Sequence, residues 1–281
     1  MNIAGVVILY HPNLQQLSEN IHSYVSGLKE LYVYDNSEEE MVGLAPMLSA
    51  LHPNIKYHYF HLNQGIAYRL NQAVSESLAN GYDYLLTMDQ DSSFQPGDFQ
   101  KMLNQIEEGQ FSNVAQFGVN CQPALTQSKE QPESALTLIT SGSILNLSLT
   151  QKVGVFNEQL FIDFVDAEFS YRVIQSGYIN LMFSNIVLNH KLGELINGRS
   201  FKTFKSSLRI IHSPIRVFYM VRNGLYLLYK SNNLTPQMKK DVVRCLGILK
   251  NDFIYHPQLA SVYLNAFKGA MAFLFNKMGK K

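Results

Sequence analysis

Two carboxylates lie one residue apart, at Asp89 and Asp91, directly after an apolar run that is typical of a buried strand. Carboxylate oxygens are ligands that Mg²⁺ and Mn²⁺ prefer, and ribose or phosphate oxygens can complete such a coordination shell. A pair this short also arises by chance. Its interpretation as a divalent-cation site therefore depends on the residues around it.

A second acidic cluster lies among apolar residues in the segment 161–169. It contains Asp163, Asp166 and Glu168, and Arg172 follows it. Burial raises the pKa of a carboxyl group and suits it to accept a proton, while an arginine or a metal ion can offset the charge. The cluster predicts a general base, and a structural salt bridge at the start of a helix is the alternative that these residues leave open.

Small and polar residues at three further places could approach a ligand. Gly65 permits a close turn in the segment 63–67, where free amides at the start of a predicted helix can face a nucleotide, although a simple glycine turn is an equal alternative. Ser141 and Gly142 interrupt an apolar run, which indicates either close approach of a ligand or a bulge. His190 follows another apolar run and could join the two aspartates as a metal ligand.

The first ninety residues alternate between strand and helix patterns, and this alternation must position the chemistry. Strands are predicted at residues 3–10, 31–34, 55–60 and 82–88, and helices at 14–28, 41–51 and 66–78. Such alternation implies a parallel sheet with covered faces, in which ligands bind beyond the carboxyl ends of the strands. We therefore expect Tyr10, Asp35 and Asp89, which stand at three of these ends, to meet at one edge.

The pattern becomes mixed beyond residue 110. Strands are predicted at 114–119, 136–146 and 179–189, with helices at 167–176, 204–229, 236–253 and 257–277. We expect a mixed α/β second half and a helical C-terminal extension, with domains at 1–200 and 201–281.

These two parts carry opposite charge. Residues 1–200 hold 9 Lys and Arg against 20 Asp and Glu, for a net charge of −11, whereas residues 201–281 hold 14 against 2, for a net charge of +12. A basic, aromatic-rich tail is typical of a surface that meets an anionic partner. The final predicted helix mixes lysines with Phe267, Phe273, Leu274 and Phe275, which predicts peripheral attachment to an anionic membrane. Packing against the rest of the chain or a second subunit is the alternative, and no motif suggests nucleic acid.

The compartment is indicated by what the chain does not contain. Residues 3–10 resemble a strand rather than a signal peptide, and the apolar run 217–229 is well short of the roughly 20 residues that cross a bilayer. Cys121 and Cys245 form no Cys-x-x-Cys pair, which argues against a disulfide framework and a thiolate metal site. We expect a cytoplasmic protein, peripheral at the inner face of the cell membrane.

Together these residues resemble glycosyltransferase family 2, and more narrowly its bacterial rhamnosyltransferase-like branch, across roughly residues 3–225. The order and spacing of short motifs carry the resemblance: Tyr10, 35–37, 63–67 with Asn71, 88–92, 141–142, 154–156, 161–169 with Arg172, 177–178, His190 with 193–194, and 222–223. The resemblance implies a GT-A fold, in which a Rossmann-like nucleotide-binding half joins a mixed-sheet acceptor half. It also implies a nucleotide-sugar donor, a divalent metal (Mn²⁺ or Mg²⁺) and an inverting transfer to an acceptor hydroxyl.

Roles follow by position from the same resemblance. Asp166 would be the general base, Asp91 and His190 would bind the metal, and Asp89 would meet the ribose or the metal. The residues that would line the nucleotide pocket are Tyr10, Asp35, Asn63, Gly65, Asn71 and Asp89. The residues that would contact the acceptor or the donor sugar are Ser141, Gly142, Asp163, Glu168 and Arg172. Val165 stands where many members carry Glu, so Asp163 is left open as a second carboxylate.

The branch favours dTDP-L-rhamnose as donor and a lipid-linked saccharide as acceptor in bacterial cell-surface polysaccharide synthesis. UDP-hexoses stay open as donors, and a homodimer stays open as an assembly. A haloacid-dehalogenase-type phosphatase would carry its Asp-x-Asp after the first strand, and a sugar nucleotidyltransferase would have a Gly-rich basic loop there. A membrane-associated scaffold that kept the fold without turnover is a further alternative.

Overall fold

The computed structural model describes residues 1–121, 128–190, 193–199, 206–231 and 233–281. The chain forms two compact units. The first comprises Met1–Asn157 and Asp166–His190, and the second comprises Glu158–Val165 and Lys191–Lys281. The expected domain boundary at residue 200 lies outside the described residues and stays a prediction.

The first unit is an α/β structure built on one large sheet. Its elements are β1 (Ile3–Leu9), α1 (Leu14–His22), β2 (Glu30–Asp35), α2 (Leu44–Leu51), β3 (Ile55–Tyr59), α3 (Ile66–Ala79), β4 (Tyr84–Asp89), β5 (Ser93–Phe94), α4 (Asp98–Gly109), β6 (Val114–Asn120), β7 (Glu133–Ser134), β8 (Ser143–Asn146), α5 (Leu147–Val153), α6 (Val165–Gln175) and β9 (Ile179–Asn189). The strand order is β3-β2-β1-β4-β8-β6-β9-β5, and β7 also pairs with β9.

The first four long strands are parallel, as their alternation with helices predicts. In this register Leu9 lies opposite Asp35, and Ile8 lies opposite Asp89. The carboxyl ends of β1, β2 and β4 therefore meet at one edge of the sheet. This confirms the expected meeting of polar residues at that edge.

Both faces of this parallel part are covered. Alternate strand residues point to opposite faces, and one face packs against α1, α2 and α4 in a core that includes Val7, Leu9, Val33, Leu86 and Met88. Helix α3 contacts β1 and β4. Burial on both sides explains why β1 is almost continuously apolar.

The second half of the sheet is mixed, because β8 runs antiparallel to both β4 and β6 while β9 runs parallel to β6. The strand expected over 136–146 forms only at Ser143–Asn146. The backbone turns at Gly142, which has a φ of +73° and donates its N–H to the Thr87 carbonyl at 2.9 Å. A Cβ at Gly142 would lie 2.9 Å from the Val119 side chain, so a larger residue does not fit this turn.

The second unit combines a hairpin with helices: β10 (Glu194–Arg199), β11 (Ser206–Ile211), α7 (Pro214–Tyr229), α8 (Pro236–Gly247), α9 (Lys250–Tyr255) and α10 (Leu259–Leu274). The helix predicted over 204–229 is wrong for residues 206–211, which pair antiparallel with β10, while residues 204 and 205 lie outside the described part. Pro214 starts α7 because its fixed φ suits the first helical turn. The helix predicted over 236–253 is divided into α8 and α9. Among the described helices, none has the length and apolar character needed to span a bilayer.

Helices α7 and α10 pack closely. A Cβ at Gly269 would lie 2.5 Å from the carbonyl oxygen of Phe218, so only glycine permits this approach. The opposite side of α10 faces solvent and carries large apolar side chains, namely Tyr263, Leu264, Phe267, Leu274 and Phe275, which are 52–67% exposed.

Candidate active site

A tight turn after β4 presents the two aspartates. The Ser92 N–H donates to the Asp89 carbonyl at 3.2 Å, which closes the turn and leaves the side chains of Asp89 and Asp91 37% and 38% exposed. The antiparallel pairing of β5 with β9 then places His190 beside the turn. Its Nδ1 lies 3.9 Å from Oδ2 of Asp89 and 3.9 Å from Oδ1 of Asp91.

This triad fits a divalent cation. The three side chains offer ligand atoms that all lie within 4.8 Å of one another. Two ligands about 2.1 Å from a shared ion are at most about 4.2 Å apart, so separations of 3.9 Å suit a common ion. Carboxylate oxygens with one imidazole nitrogen are donors that suit Mn²⁺ and Mg²⁺. Asp89 thus lies with the two predicted metal ligands.

Ser92 belongs to the motif 88–92, but sequence reasoning gave it no role of its own. Its side chain is fully buried, and its Oγ lies 2.8 Å from Nδ1 of His190, the nitrogen that also faces the two aspartates. This hydrogen bond orients the imidazole ring, and it would be given up if Nδ1 bound a metal ion. Its position directly after the Asp-x-Asp was the available signal.

Ser141 and Gly142 support the same turn from the neighbouring segment. The Ser141 Oγ accepts the backbone N–H of Asp89 at 3.1 Å. Gln90 ties the turn to the end of β1, because its Oε1 accepts the Tyr10 N–H at 2.8 Å and its Nε2 donates to the Tyr10 carbonyl at 3.1 Å. The structure therefore brings Tyr10, Ser141 and Gly142 to the metal turn, while contact with a sugar or nucleotide stays a prediction.

Tyr10 itself projects from this edge, with 47% of the residue exposed. Its partial burial raises the pKa of its hydroxyl, and the nearby Glu38 carboxylate adds to this effect. The ring is in edge contact with His11, with 4.3 Å between ring centroids. Tyr10 is thus a neutral aromatic side chain at physiological pH, and its predicted contact with a nucleotide stays a prediction.

Asp35 is fully buried at the end of β2. Its Oδ1 accepts the Ser37 N–H at 2.9 Å, and its Oδ2 accepts the Tyr57 hydroxyl at 3.0 Å. Burial raises the pKa of the Tyr57 hydroxyl, and the Asp35 carboxylate raises it further, so this bond keeps its proton on Tyr57. In this conformation Asp35 shapes the loop after β2, and its predicted contact with a nucleobase stays a prediction.

A buried polar network fixes the loop between β3 and α3. The Asn36 side chain donates to Asn63 Oδ1 at 3.0 Å, and its own Oδ1 accepts from the Gln64 N–H and from Arg69 Nε. Gly65 has a φ of +87°, and its N–H donates to Asn63 Oδ1 at 3.0 Å. The predicted nucleotide-binding loop is thus held in one conformation before any ligand arrives.

Asn36 lies in the motif 35–37, but sequence reasoning gave it no role of its own, and Arg69 was missed. Arg69 is 1% exposed and stacks on Phe60, with its guanidinium carbon 3.5 Å from the ring centroid. Burial lowers the pKa of this guanidinium, which stays a cation because its ordinary value is so high. No local pattern signals this pairing, since 33 residues separate the two partners.

Asn71 joins α3 to the segment after α5. Its Nδ2 donates to the Phe156 carbonyl at 2.9 Å, and its Oδ1 accepts the Phe156 N–H at 2.8 Å. These two hydrogen bonds are buried and hold α3 against the segment after α5 within the first unit. A direct contact between Asn71 and a nucleotide stays a prediction.

Asp166, the predicted general base, lies in the first turn of α6. There the helix dipole favours negative charge, and Oδ1 accepts the Ala167 N–H at 2.8 Å. The half-buried Cys121, just beyond β6, lies within electrostatic reach. Burial raises the pKa of the Cys121 thiol, and the Asp166 carboxylate raises it further.

Glu168 and Arg172 form a two-point ion pair one turn apart on α6, at 2.7 and 3.0 Å. Arg172 also donates to the carbonyls of Val153, Gly154 and Val155. Arg172 thereby closes the end of α5 onto α6. A contact of this pair with acceptor or donor sugar stays a prediction.

Asp163 lies in the second unit and is paired with Arg216. The side chain of Asp163 is only 7% exposed, and its Oδ1 accepts from Arg216 Nη2 at 2.5 Å. Asp163 is also in the left-handed region, with a φ of +62°. Sequence reasoning missed Arg216, because the two residues are 53 positions apart.

The chain is similar to known proteins in both sequence and fold. The family model described as glycosyl transferase family 2 matches residues 6–162, which is more than half of the chain. The chain is 27% identical over 254 residues to the dTDP-rhamnosyl transferase RfbF of Shigella flexneri, covering 82% of this chain and 81% of that protein.

Two solved structures resemble the fold. The mannosyltransferase PcManGT from Pyrobaculum calidifontis, in complex with GDP-Man and Mn²⁺, has a TM-score of 0.60 and 11% identity, with 98% of this chain and 88% of that chain covered. GalNAc-T7 with UDP, GalNAc and Mn²⁺ has a TM-score of 0.59 and 11% identity, with 92% and 58% covered. Both confirm the predicted α/β fold of the GT-A type.

Proposed function

Because the chain belongs to glycosyl transferase family 2 and is a glycosyltransferase, we propose that it transfers L-rhamnose from dTDP-L-rhamnose to a hydroxyl group of a saccharide acceptor. The observation that carries the proposal is the triad of Asp89, Asp91 and His190 at the carboxyl edge of the parallel strands. That edge is where sheets of this kind bind nucleotides. The rhamnosyl transferase relative supports the choice of sugar.

In the proposed mechanism, the triad would hold Mn²⁺ or Mg²⁺, which when bound stabilises negative charge on the departing diphosphate. Tyr10 and the rigid loop at Asn63 and Gly65 would bind the nucleoside. Preorganisation of this loop by Asn36 and Arg69 lowers the entropy cost of binding, because the chain is already ordered.

Asp166 would accept the proton of the acceptor hydroxyl. As that oxygen forms its bond to the anomeric carbon, the bond from this carbon to the diphosphate oxygen breaks, and attack from the opposite face inverts the configuration. Asp163 is the less suitable base because its carboxylate is already occupied by Arg216. The structure thus favours Asp166 over the second carboxylate that the sequence left open.

A nucleotide panel tests this proposal. Thermal unfolding is measured with dTDP, UDP, GDP and CDP, each with and without Mn²⁺, because a ligand that binds only the folded state raises its stability. Mn²⁺-dependent stabilisation by dTDP, followed by transfer from dTDP-L-rhamnose, is the expected result. Selective stabilisation by UDP would move the donor to a UDP-hexose, and stabilisation by no nucleotide would contradict the transferase proposal.

The surface of the second unit supports a place at an anionic membrane, where a lipid-linked acceptor would be available. The two acidic residues in 201–281, Asp241 and Asp252, are both buried and paired with Arg244 and His212. The exposed charge of the described part of this segment is therefore cationic. Basic residues around an exposed apolar helix face are typical of peripheral binding to the cytoplasmic leaflet.

Phe273, one residue of the predicted membrane-binding face, is not directed to solvent. Phe273 is directed toward α7, where its ring contacts Tyr229 and the Lys230 ammonium lies 4.9 Å from its centroid. The exposed row instead continues toward the start of α10, through Tyr263 and Leu264.

A further inference from the structure

The loop that leads into α6 has an unusual backbone. Phe161, Asp163 and Phe164 all have positive φ values, of +65°, +62° and +64°. None of them is glycine, so the conformation is strained and persists only where surrounding groups impose it. The loop continues directly into Val165 and Asp166, the proposed base.

Asn223 on α7 supplies the first of these surrounding groups. Its Nδ2 lies within hydrogen-bonding distance of three loop carbonyls, those of Leu160, Ile162 and Asp163, at 2.8–2.9 Å. The side chain is fully buried. One side-chain amide thus contacts three carbonyls of the loop that contains the left-handed residues.

Arg222 supplies the second. It is 1% exposed, and its Nη2 donates to the carbonyls of Gln159 and Leu160 at 3.3 and 3.0 Å. Its Nε donates to Asn223 Oδ1 at 2.9 Å, which fixes the orientation of the amide. Burial lowers the pKa of Arg222, and its described hydrogen-bond acceptors are all neutral oxygens.

Burial of a cation among neutral carbonyls costs desolvation free energy, which apolar packing at the same position would avoid. The same contacts do define a unique loop conformation. Within this unit, the ring of Tyr219 also stacks on Phe161 with 5.1 Å between centroids, and Arg216 pairs with Asp163. The contacts from α7 to the loop fall on residues 159–163, and Arg222 also donates to the Gly279 carbonyl at 2.6 Å.

We propose that Arg222 and Asn223 are positioning residues for the transfer step: they hold the strained loop 159–164, which leads directly into Asp166, the proposed base. The inference rests on the proposed transferase function. The donor is bound by the β-strand edge of the first unit, so the effect of these two residues falls on turnover and not on nucleotide affinity.

The test compares Asn223→Asp with wild type. The variant keeps the shape of the side chain but directs an oxygen toward the three carbonyls, so the amide contacts are lost. Asn265→Asp is the matched control, because the Asn265 amide donates only within its own helix, to Ser261, and its Oδ1 accepts from Lys281. The probes are dTDP-L-rhamnose and the lipid-linked saccharide fraction of bacterial membranes.

We expect the apparent kcat of Asn223→Asp to fall about a hundredfold, which is the loss typical of a reacting group displaced by about an ångström. The KM for the donor and the stabilisation by dTDP with Mn²⁺ should stay within twofold of wild type. Amide hydrogen exchange over residues 158–165 should become faster, with exchange in β1 to β4 unchanged. Arg222→Lys should show a smaller loss of the same kind, because lysine keeps the charge without the planar fork.

A wild-type kcat in Asn223→Asp, or unchanged exchange over 158–165, would overturn the inference. A parallel loss of nucleotide binding would also overturn it, since this would indicate a general structural role. If transfer uses a UDP-sugar instead, the rhamnose proposal fails. The kcat of Asn223→Asp is then compared with that of wild type with the UDP-sugar as donor. Transfer from no donor at all would refute both proposals.

Discussion

The exposed face of α10 allows the membrane proposal to be tested quantitatively. Phe267 and Leu274 are 63% and 66% exposed, and they lie two turns apart on the helix. Burying a large apolar side chain completely contributes about 1.5–3 kcal/mol, so these two exposed fractions contribute about 1–2 kcal/mol each on insertion. Replacing both by Glu removes this contribution and adds two charges that an anionic surface repels, at about 1 kcal/mol each.

The double variant Phe267→Glu/Leu274→Glu should therefore lose about 4–6 kcal/mol of membrane affinity, or about three to four orders of magnitude. The assay is cosedimentation with phosphatidylcholine vesicles that contain 0% or 30% phosphatidylglycerol, at low and high salt. Wild-type protein should bind the anionic vesicles and release from them at high salt, because screening weakens the attraction of lysines for the surface. The matched control is Val42→Glu/Leu62→Glu, which changes two residues of the first unit that are 94% and 49% exposed.

Binding by the double variant that equals wild type would refute the assignment of this face. Equal binding of wild type to neutral and anionic vesicles would refute the electrostatic part of the reasoning. Unchanged nucleotide stabilisation in the double variant shows that the protein is still folded, so a loss of binding reports on the surface alone.

Four further outcomes are expected. Asp91→Asn should abolish the Mn²⁺-dependent part of the thermal stabilisation by nucleotide. The matched control Asp83→Asn changes an exposed aspartate just before β4 and should preserve that stabilisation. Equal stabilisation in both variants would contradict the metal site. Asp166→Asn should lower kcat by about 10²–10⁴, the range typical of a lost general base, with dTDP binding retained, and steady-state kinetics that show unchanged kcat would exclude this role. Burial raises the pKa of the Cys121 thiol above its ordinary value of 9.0, so in a Cys245→Ser background alkylation by iodoacetamide should still accelerate above pH 9. In the same assay, followed by mass spectrometry, Asp166→Asn should speed alkylation at pH 8, because one anion that raises that pKa is gone; an unchanged rate would contradict their proximity.

The parallel half of the fold could be predicted because its signals are local. Regular alternation of strands and helices fixes parallel pairing, and parallel pairing brings the strand ends to one edge. Asp89 and Asp91 were found for this reason. His190 was a candidate because it follows an apolar run, but no local pattern indicates that β9 pairs with β5 and so lies beside the metal turn.

The rest depended on partners that are distant along the chain. No sequence pattern indicates that Asp163 pairs with Arg216, because the two residues are 53 positions apart and no periodicity links them. Residues 206–211 were assigned to a helix because the apolar α7 follows them, whereas pairing with β10 makes them a strand. Tertiary pairing overrides local preference in such segments.

The positive φ values at residues 161, 163 and 164 set backbone strain against side-chain packing within a single loop. Each left-handed non-glycine residue costs about 1–3 kcal/mol, and glycine would adopt the same angles without that cost. Both phenyl rings are buried, and removal of such a ring costs about 3–5 kcal/mol, so glycine at Phe161 or Phe164 would lower the stability of the fold even though it relieves the strain. Packing of these rings therefore maintains the strained backbone, and the loop cannot gain freedom at these positions without losing stability.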